Sequence, residues 1–166
     1  MKVEGHVQTV NGAKNAIEAG IWSIAHSTGL NEEMHTLMAQ KGSGAPGPIR
    51  SDTLAGHPVS PQAYQRTVAS LKDAYAKKVP LTFSTDADYY VVGKTRGEVC
   101  MEFLKTWKDA GVPNADILRA MTINGYKVSE TEKTRGPIKA GVLRRHHRRA
   151  RQPARRHRRR SRTSSS

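Results

Sequence analysis

Three residues in this 166-residue chain have the types and places from which metal-assisted chemistry could be built: His6, His26 and Asp86. Each closes a stretch that reads as a β-strand. His26 follows His6 by 20 residues and Asp86 follows His26 by 60, spacings that suit one strand-helix unit and then two. Two imidazoles and a carboxylate are suitable ligands for zinc or a similar divalent ion, and the carboxylate can also take a proton from an activated water. Taken singly, each residue has a plainer account: a histidine at a strand end can be an ordinary polar residue, and Asp86 can brace a loop. His57 in AGHPVSP is a further candidate for facing a pocket. Arg96 in GKTRGE is one for holding an anionic substrate group, because a guanidinium suits a carboxylate. Solvent exposure and a surface ion pair are the respective alternatives.

The elements that must position these residues alternate between strand and helix. Lys2–His6 reads as a strand, and Gly12–Ala19 as a helix with Ala13, Ala16 and Ile17 on one face. Ile21, Trp22, Ile24 and Ala25 form the compact apolar run of a strand covered on both sides. Asn31 caps a helix whose first turn holds Glu32 and Glu33 and which stops at Gly42. The Gly/Pro-rich stretch Ser43–Pro58 reads as a loop on composition. Ser60 and Pro61 then open a long helix, Val79–Ser84 alternates as a strand, Val99, Phe103 and Trp107 share a helical stripe, and Pro113-Asn114 opens a last helix. A series of βα units implies a parallel sheet or barrel, with the strands' C-terminal ends as the place for chemistry. The number of units makes half of an eight-unit barrel, which takes about 250 residues.

Charge divides the chain in two. Of 28 Lys and Arg against 14 Asp and Glu, 11 arginines fall within residues 142–166, where there is no acid and no lysine. That tail lacks the apolar residues needed to offset ordering entropy and reads as disordered, leaving residues 1–141 as the globular body. A single cysteine, Cys100, excludes an intrachain disulfide framework and a multi-cysteine zinc site and fits a reducing compartment, with cytoplasm the expectation. No apolar run approaches the roughly 18 residues of a membrane span.

The strings GHVQTVNGAKNAIEAGIWSIAHST and VPLTFSTDADY, followed by AGVPNADILRAMTINGYKVSETEKTRGPIKAG, resemble the second half of the metal-dependent amidohydrolase superfamily, near its imidazolonepropionase-like and prolidase-like members. The resemblance covers roughly residues 2–42 and 57–141. It implies a partial TIM-like (β/α)8 barrel comprising strands five to eight with their helices. It also implies that His6, His26 and Asp86 hold the metal, most simply zinc, with Asp86 as the catalytic proton acceptor. The activity implied is hydrolysis of a carbon-nitrogen bond in a small amide, cyclic amide or dipeptide. Departures accompany the likeness. Ala25 and Ser27 stand where the family usually has Glu and Gly around the second histidine, Ser84 stands where Gly often precedes Thr-Asp, and SGAPGPIRSD does not resemble an apolar seventh strand. The His-x-His pair of the family's first strand and the carboxylated lysine of its fourth have no counterpart in the sequence. An upstream half-barrel polypeptide, or an oligomer, is therefore an expected partner, and the isolated chain is expected to be inactive.

The competing reading is a non-catalytic amidohydrolase fragment whose basic tail adheres to nucleic acid. The abrupt loss of β alternation after Gly141 is what a shifted reading frame in a GC-rich gene would produce. Either origin leaves 11 guanidinium groups that attract phosphates. Binding to RNA or DNA, measured by fluorescence anisotropy between about 50 and 200 mM salt, should weaken steeply and show little sequence preference. Deleting residues 142–166 should abolish it; sequence-selective binding retained by residues 1–141 would contradict the assignment to the tail.

Overall fold

Four short parallel strands carry the architecture, with helices between them. A computed structural model describes residues 2–25, 29–47, 52–136 and 140. Along the chain lie β1 (Glu4–His6), α1 (Val10–Glu18), β2 (Ser23–Ala25), α2 (Glu32–Lys41) and β3 (Ala45–Pro46). They are followed by β4 (Thr53–Leu54), β5 (His57–Pro58), α3 (Pro61–Ala76) and β6 (Leu81–Thr82). Four helices complete the described chain: α4 (Arg96–Glu102), α5 (Leu104–Asp109), α6 (Asn114–Met121) and α7 (Ile123–Val128). β1 pairs with β2 through Glu4–Ser23, Gly5–Ile24 and His6–Ala25, and β3 pairs with β6 through Ala45–Leu81 and Pro46–Thr82, both in parallel. A parallel bridge between Ser23 and Gly44 joins the two pairs. Among the described residues the sheet has these four strands and does not close. The Arg-rich tail lies outside the described residues.

Local chemistry explains the helix boundaries. Thr9, Asn31 and Ser60 accept at their side-chain oxygens from the backbone N–H groups of Gly12, Met34 and Ala63, which satisfies donors that the first turn leaves without partners. Thr95 and Glu98 cap α4 reciprocally, each side chain serving the other's backbone. Gly42 ends α2 at φ 70°, a left-handed cap that costs a β-carbon-free residue nothing. Ala13 and Ile17 of α1, Met34 and Met38 of α2, Leu71 and Ala74 of α3, and Trp107 of α5 are buried together with Ile24, Ala45 and Leu81 of the strands. The α1 face anticipated from periodicity, through Ala13 and Ile17, is the one buried against the sheet.

Two expectations need correction. Residues 43–58 are not simply a loop: Gly44 and β3 take the sheet's third place, and β4 and β5 form an antiparallel hairpin turning at Ala55 (φ 53°) and Gly56 (φ 82°). Composition hid the strand because its glycines serve close approach. A β-carbon on Gly44 would sit 3.2 Å from the Pro80 carbonyl, and one on Gly47 would run into the Trp107 ring. The continuous stripe of Val99, Phe103 and Trp107 is also broken into two helices meeting at Phe103, which puts Val99 and Phe103 in a second small core and Trp107 in the main one.

A part-buried polar contact ties α2 to α3. His35 of α2 is buried, and its Nδ1–H donates to Asp73 Oδ2 of α3 at 2.6 Å, while Lys77 donates to the other oxygen of the same carboxylate. The carboxylate only accepts, which assigns the imidazole proton to Nδ1. Burial pushes the Asp73 carboxyl up, but the hydrogen bonds from Lys77 and His35 outweigh it and hold the group below its ordinary value.

A folded-state value below the unfolded one means that this contribution is present above about pH 4 and fades as the pH falls through the depressed value. The melting temperature of Asp73→Asn should therefore lie below that of the parent at neutral pH and converge with it in acid, as read by circular dichroism. Gly47→Ala should lose about 1–3 kcal/mol in a denaturant titration through overpacking against Trp107; an unchanged midpoint would show that the ring has room to move.

Candidate active site at the strand ends

The C-terminal ends of β1, β2, β3 and β6 form one rim, and two of the three residues proposed as metal ligands stand on its described part. His6 is the last residue of β1 and is exposed. Asp86 lies just beyond β6 on the other outer strand and is also exposed. β2 and β3 separate their strands. His26 directly follows β2 and lies outside the described residues.

Asp86 owes its position to a local device. Its backbone is left-handed, φ 48°, a conformation that Asp and Asn tolerate better than most side chains. The Asp88 N–H closes a tight turn onto the Asp86 carbonyl at 3.0 Å, and the Ala87 N–H reaches Thr85 Oγ1 at 3.4 Å. Behind this turn, Ala87, Val99 and Phe103 form a small apolar cluster with Phe83, Tyr89, Val91 and Cys100 packed against it. The Cys100 thiol is 3.4 Å from Thr85 Oγ1. The cluster packs the loop down beside Asp86, which itself stays exposed.

The β4–β5 hairpin leans on the same loop. A β-carbon on Gly56 would approach Val91 at 3.3 Å, and burial pushes the Tyr89 phenol up while a backbone hydrogen bond at Ala55 pulls it down. His57 sits exposed on β5 opposite Leu54, and Arg96 is the exposed first residue of α4, directly after the Thr95 cap. The sequence reading missed the hairpin as a wall of the rim. Gly56 was its one sequence signal, since glycine readily takes the left-handed backbone of a two-residue hairpin turn, whereas alanine at position 55 does not favour its φ of 53°.

Among the described residues no group of three or more His, Cys, Asp and Glu side chains could hold a metal ion. The donors are right in kind, imidazole and carboxylate at strand ends, but the described residues supply only two of the proposed three.

The fold has counterparts among solved structures. A Xaa-Pro dipeptidase crystallised with methionine in its active site superposes with a TM-score of 0.67 at 27% identity over 86% of this chain. An amidohydrolase matches at 0.65 with 18% identity, and a prolidase complexed with N-methylphosphonate-L-proline at 0.64 with 19%. The fold is amidohydrolase-like. This chain spans only 36–37% of the length of those amidohydrolase-like chains. No protein-family model and no curated protein matches it. Among the described residues no helix is long and apolar enough to cross a membrane.

Proposed function

We infer that the rim is the metal-dependent hydrolytic site of a carbon-nitrogen bond hydrolase, acting on a small amide, cyclic amide or dipeptide in a reducing, cytoplasmic setting. The observation that carries the reading is Asp86. An exposed carboxylate held in a left-handed turn at the end of the last parallel strand is where a proton acceptor must stand in a βα architecture. Backbone strain of this kind is retained where surrounding packing enforces it, and here the Ala87–Val99–Phe103 cluster does so. The dipeptidase and prolidase named above support the substrate class, and their shared fold supports the rim as the place of reaction.

Asp86 takes the proton of the attacking water and later passes it to the leaving nitrogen, the two halves of general acid-base catalysis. His6 and His26 are ligands for a divalent ion, most simply zinc, with Asp86 as the third. Such an ion polarises the carbonyl and eases ionisation of water. His57 and Arg96 are the side chains proposed to meet the substrate, Arg96 by a carboxylate. The family resemblance implies further ligands on other strands, so an ion held by this chain alone is expected to be weakly bound.

Zinc titration by calorimetry tests the ligand set. In the full chain with His146, His147 and His157 replaced by alanine, so that the tail contributes no imidazole, a weak site should remain and His6→Ala or His26→Ala should weaken it at least tenfold. Asp86→Asn is the informative partner, because Asn also tolerates the left-handed backbone and removes only the charge. It should cut zinc affinity with little change in melting temperature. Identical isotherms for all three variants would remove the metal from the proposal.

A further inference from the structure

The helical layer outside the sheet holds a cavity that the rim does not use. α2 and α3 pack on each other, and each leads into the start of a parallel strand, β3 and β6, so the two helices run side by side in the same direction. The groove between them opens into a cavity of about 390 Å³, within the size range of small-molecule sites. Leu30 and Ala69 give it an apolar wall, and Glu32, His35, Arg66 and Ser70 give it polar ones. Neither His6, His57, Asp86 nor Arg96 borders it.

His35 is the fixed point of this groove. The residue is 1% exposed, and its Nδ1–H is given to Asp73 Oδ2. Asp73 also borders the cavity, but Lys77 holds its other oxygen, so both oxygens of that carboxylate are taken. The bond settles the tautomer and leaves Nε2 of the neutral ring as an acceptor. Among the described residues no donor meets Nε2. So enclosed an imidazole with half of its hydrogen-bonding capacity open is an acceptor held ready for whatever enters the cavity.

Helical rise orders the other groups. Glu32 precedes His35 by one turn on α2, and Ser70 precedes Asp73 by one turn on α3, about 4.5 Å along each axis; Arg66 stands about 6 Å beyond Ser70. Glu32 and His35 therefore share one face of α2, and Arg66, Ser70 and Asp73 one face of α3. Among the described residues the side chains of Glu32, Arg66 and Ser70 make no hydrogen bond or ion pair, not even with one another across the groove. The cavity thus sets two donors on α3, the Arg66 guanidinium and the Ser70 hydroxyl, against two acceptors on α2, the Glu32 carboxylate and His35 Nε2.

We propose that this groove binds a free α-amino acid, its carboxylate on Arg66 and the Ser70 hydroxyl, its ammonium between Glu32 and His35 Nε2, and an apolar side chain against Leu30 and Ala69. A guanidinium suits a carboxylate, and an ammonium has three hydrogens with which to meet both acceptors. A simple anion would satisfy Arg66 and Ser70 but be repelled by Glu32 and bring no proton to Nε2. A simple cation would meet α2 and be repelled by Arg66. A molecule with opposite charges on neighbouring atoms answers both helices at once. The site goes beyond the hydrolytic reading of the rim and does not depend on it.

Calorimetric titration of the full chain with L-leucine should show saturable binding. On the same protein, 4-methylpentanoate, which lacks the ammonium, and 3-methylbutylamine, which lacks the carboxylate, should each bind at least tenfold more weakly. Glu32→Gln and Arg66→Gln alter exposed side chains and should each weaken L-leucine at least tenfold at an unchanged melting temperature, whereas Arg96→Ala at the rim should leave its binding as it is. In a long-range proton–nitrogen spectrum of the imidazoles, the His35 Nε2 resonance should move on adding L-leucine. No saturable binding, equal binding of 4-methylpentanoate as simple adhesion to arginines would give, binding lost in Arg96→Ala but kept in Arg66→Gln, or an unmoved His35 Nε2 resonance would each overturn the proposal.

Discussion

Everything at the rim depends on the two hydrogen bonds of Gly44. Its N–H donates to the Trp22 carbonyl at 2.7 Å, and its carbonyl accepts from the Ile24 N–H at 3.0 Å. Without them the structure would hold two separate strand pairs, β1 with β2 and β3 with β6, and the His6 and Asp86 ends would have no fixed relation. Glycine suits the position because a β-carbon there would come within 3.2 Å of the Pro80 carbonyl, closer than an ordinary van der Waals contact. A residue that looks like a loop signal is thus the one that makes the sheet continuous.

This reversal explains how far the sequence could be read. The caps at Asn31 and Ser60, the left-handed stop at Gly42 and the helix face through Ala13 and Ile17 were legible because they depend on chemistry within one or two turns. β3 was not, because Gly44 and Gly47 are there for Pro80 and Trp107, far away in sequence. The break at Phe103 has the same origin: Val99 and Trp107 share a helical stripe locally, yet they pack into different cores. Of the site, His6 and Asp86 could be placed at strand ends from spacing and resemblance. The left-handed turn at Asp86 and the hairpin beside it needed the tertiary packing of Val91 and Phe103.

The helical layer and the rim answer to different demands. Outside the sheet, Asp73 is bonded to both His35 and Lys77, and the one buried imidazole among them has a carboxylate to hold it. At the rim, His6 and Asp86 are exposed and stand on opposite outer strands. Polar groups of the first kind fix helix on helix. Those of the second kind lie within reach of solvent at the strand ends, where the proposed chemistry is placed.

The contact of Gly47 with Trp107 reaches beyond this one molecule. A glycine whose missing side chain is replaced by an indole ring has no independent path of change. Any larger residue at position 47 demands a smaller one at position 107 at the same step, and a smaller residue at 107 alone leaves a void beneath β3. The two positions should therefore drift as a pair through any lineage that keeps this sheet, so the third strand of the rim can vary only as fast as a helix on the outside allows.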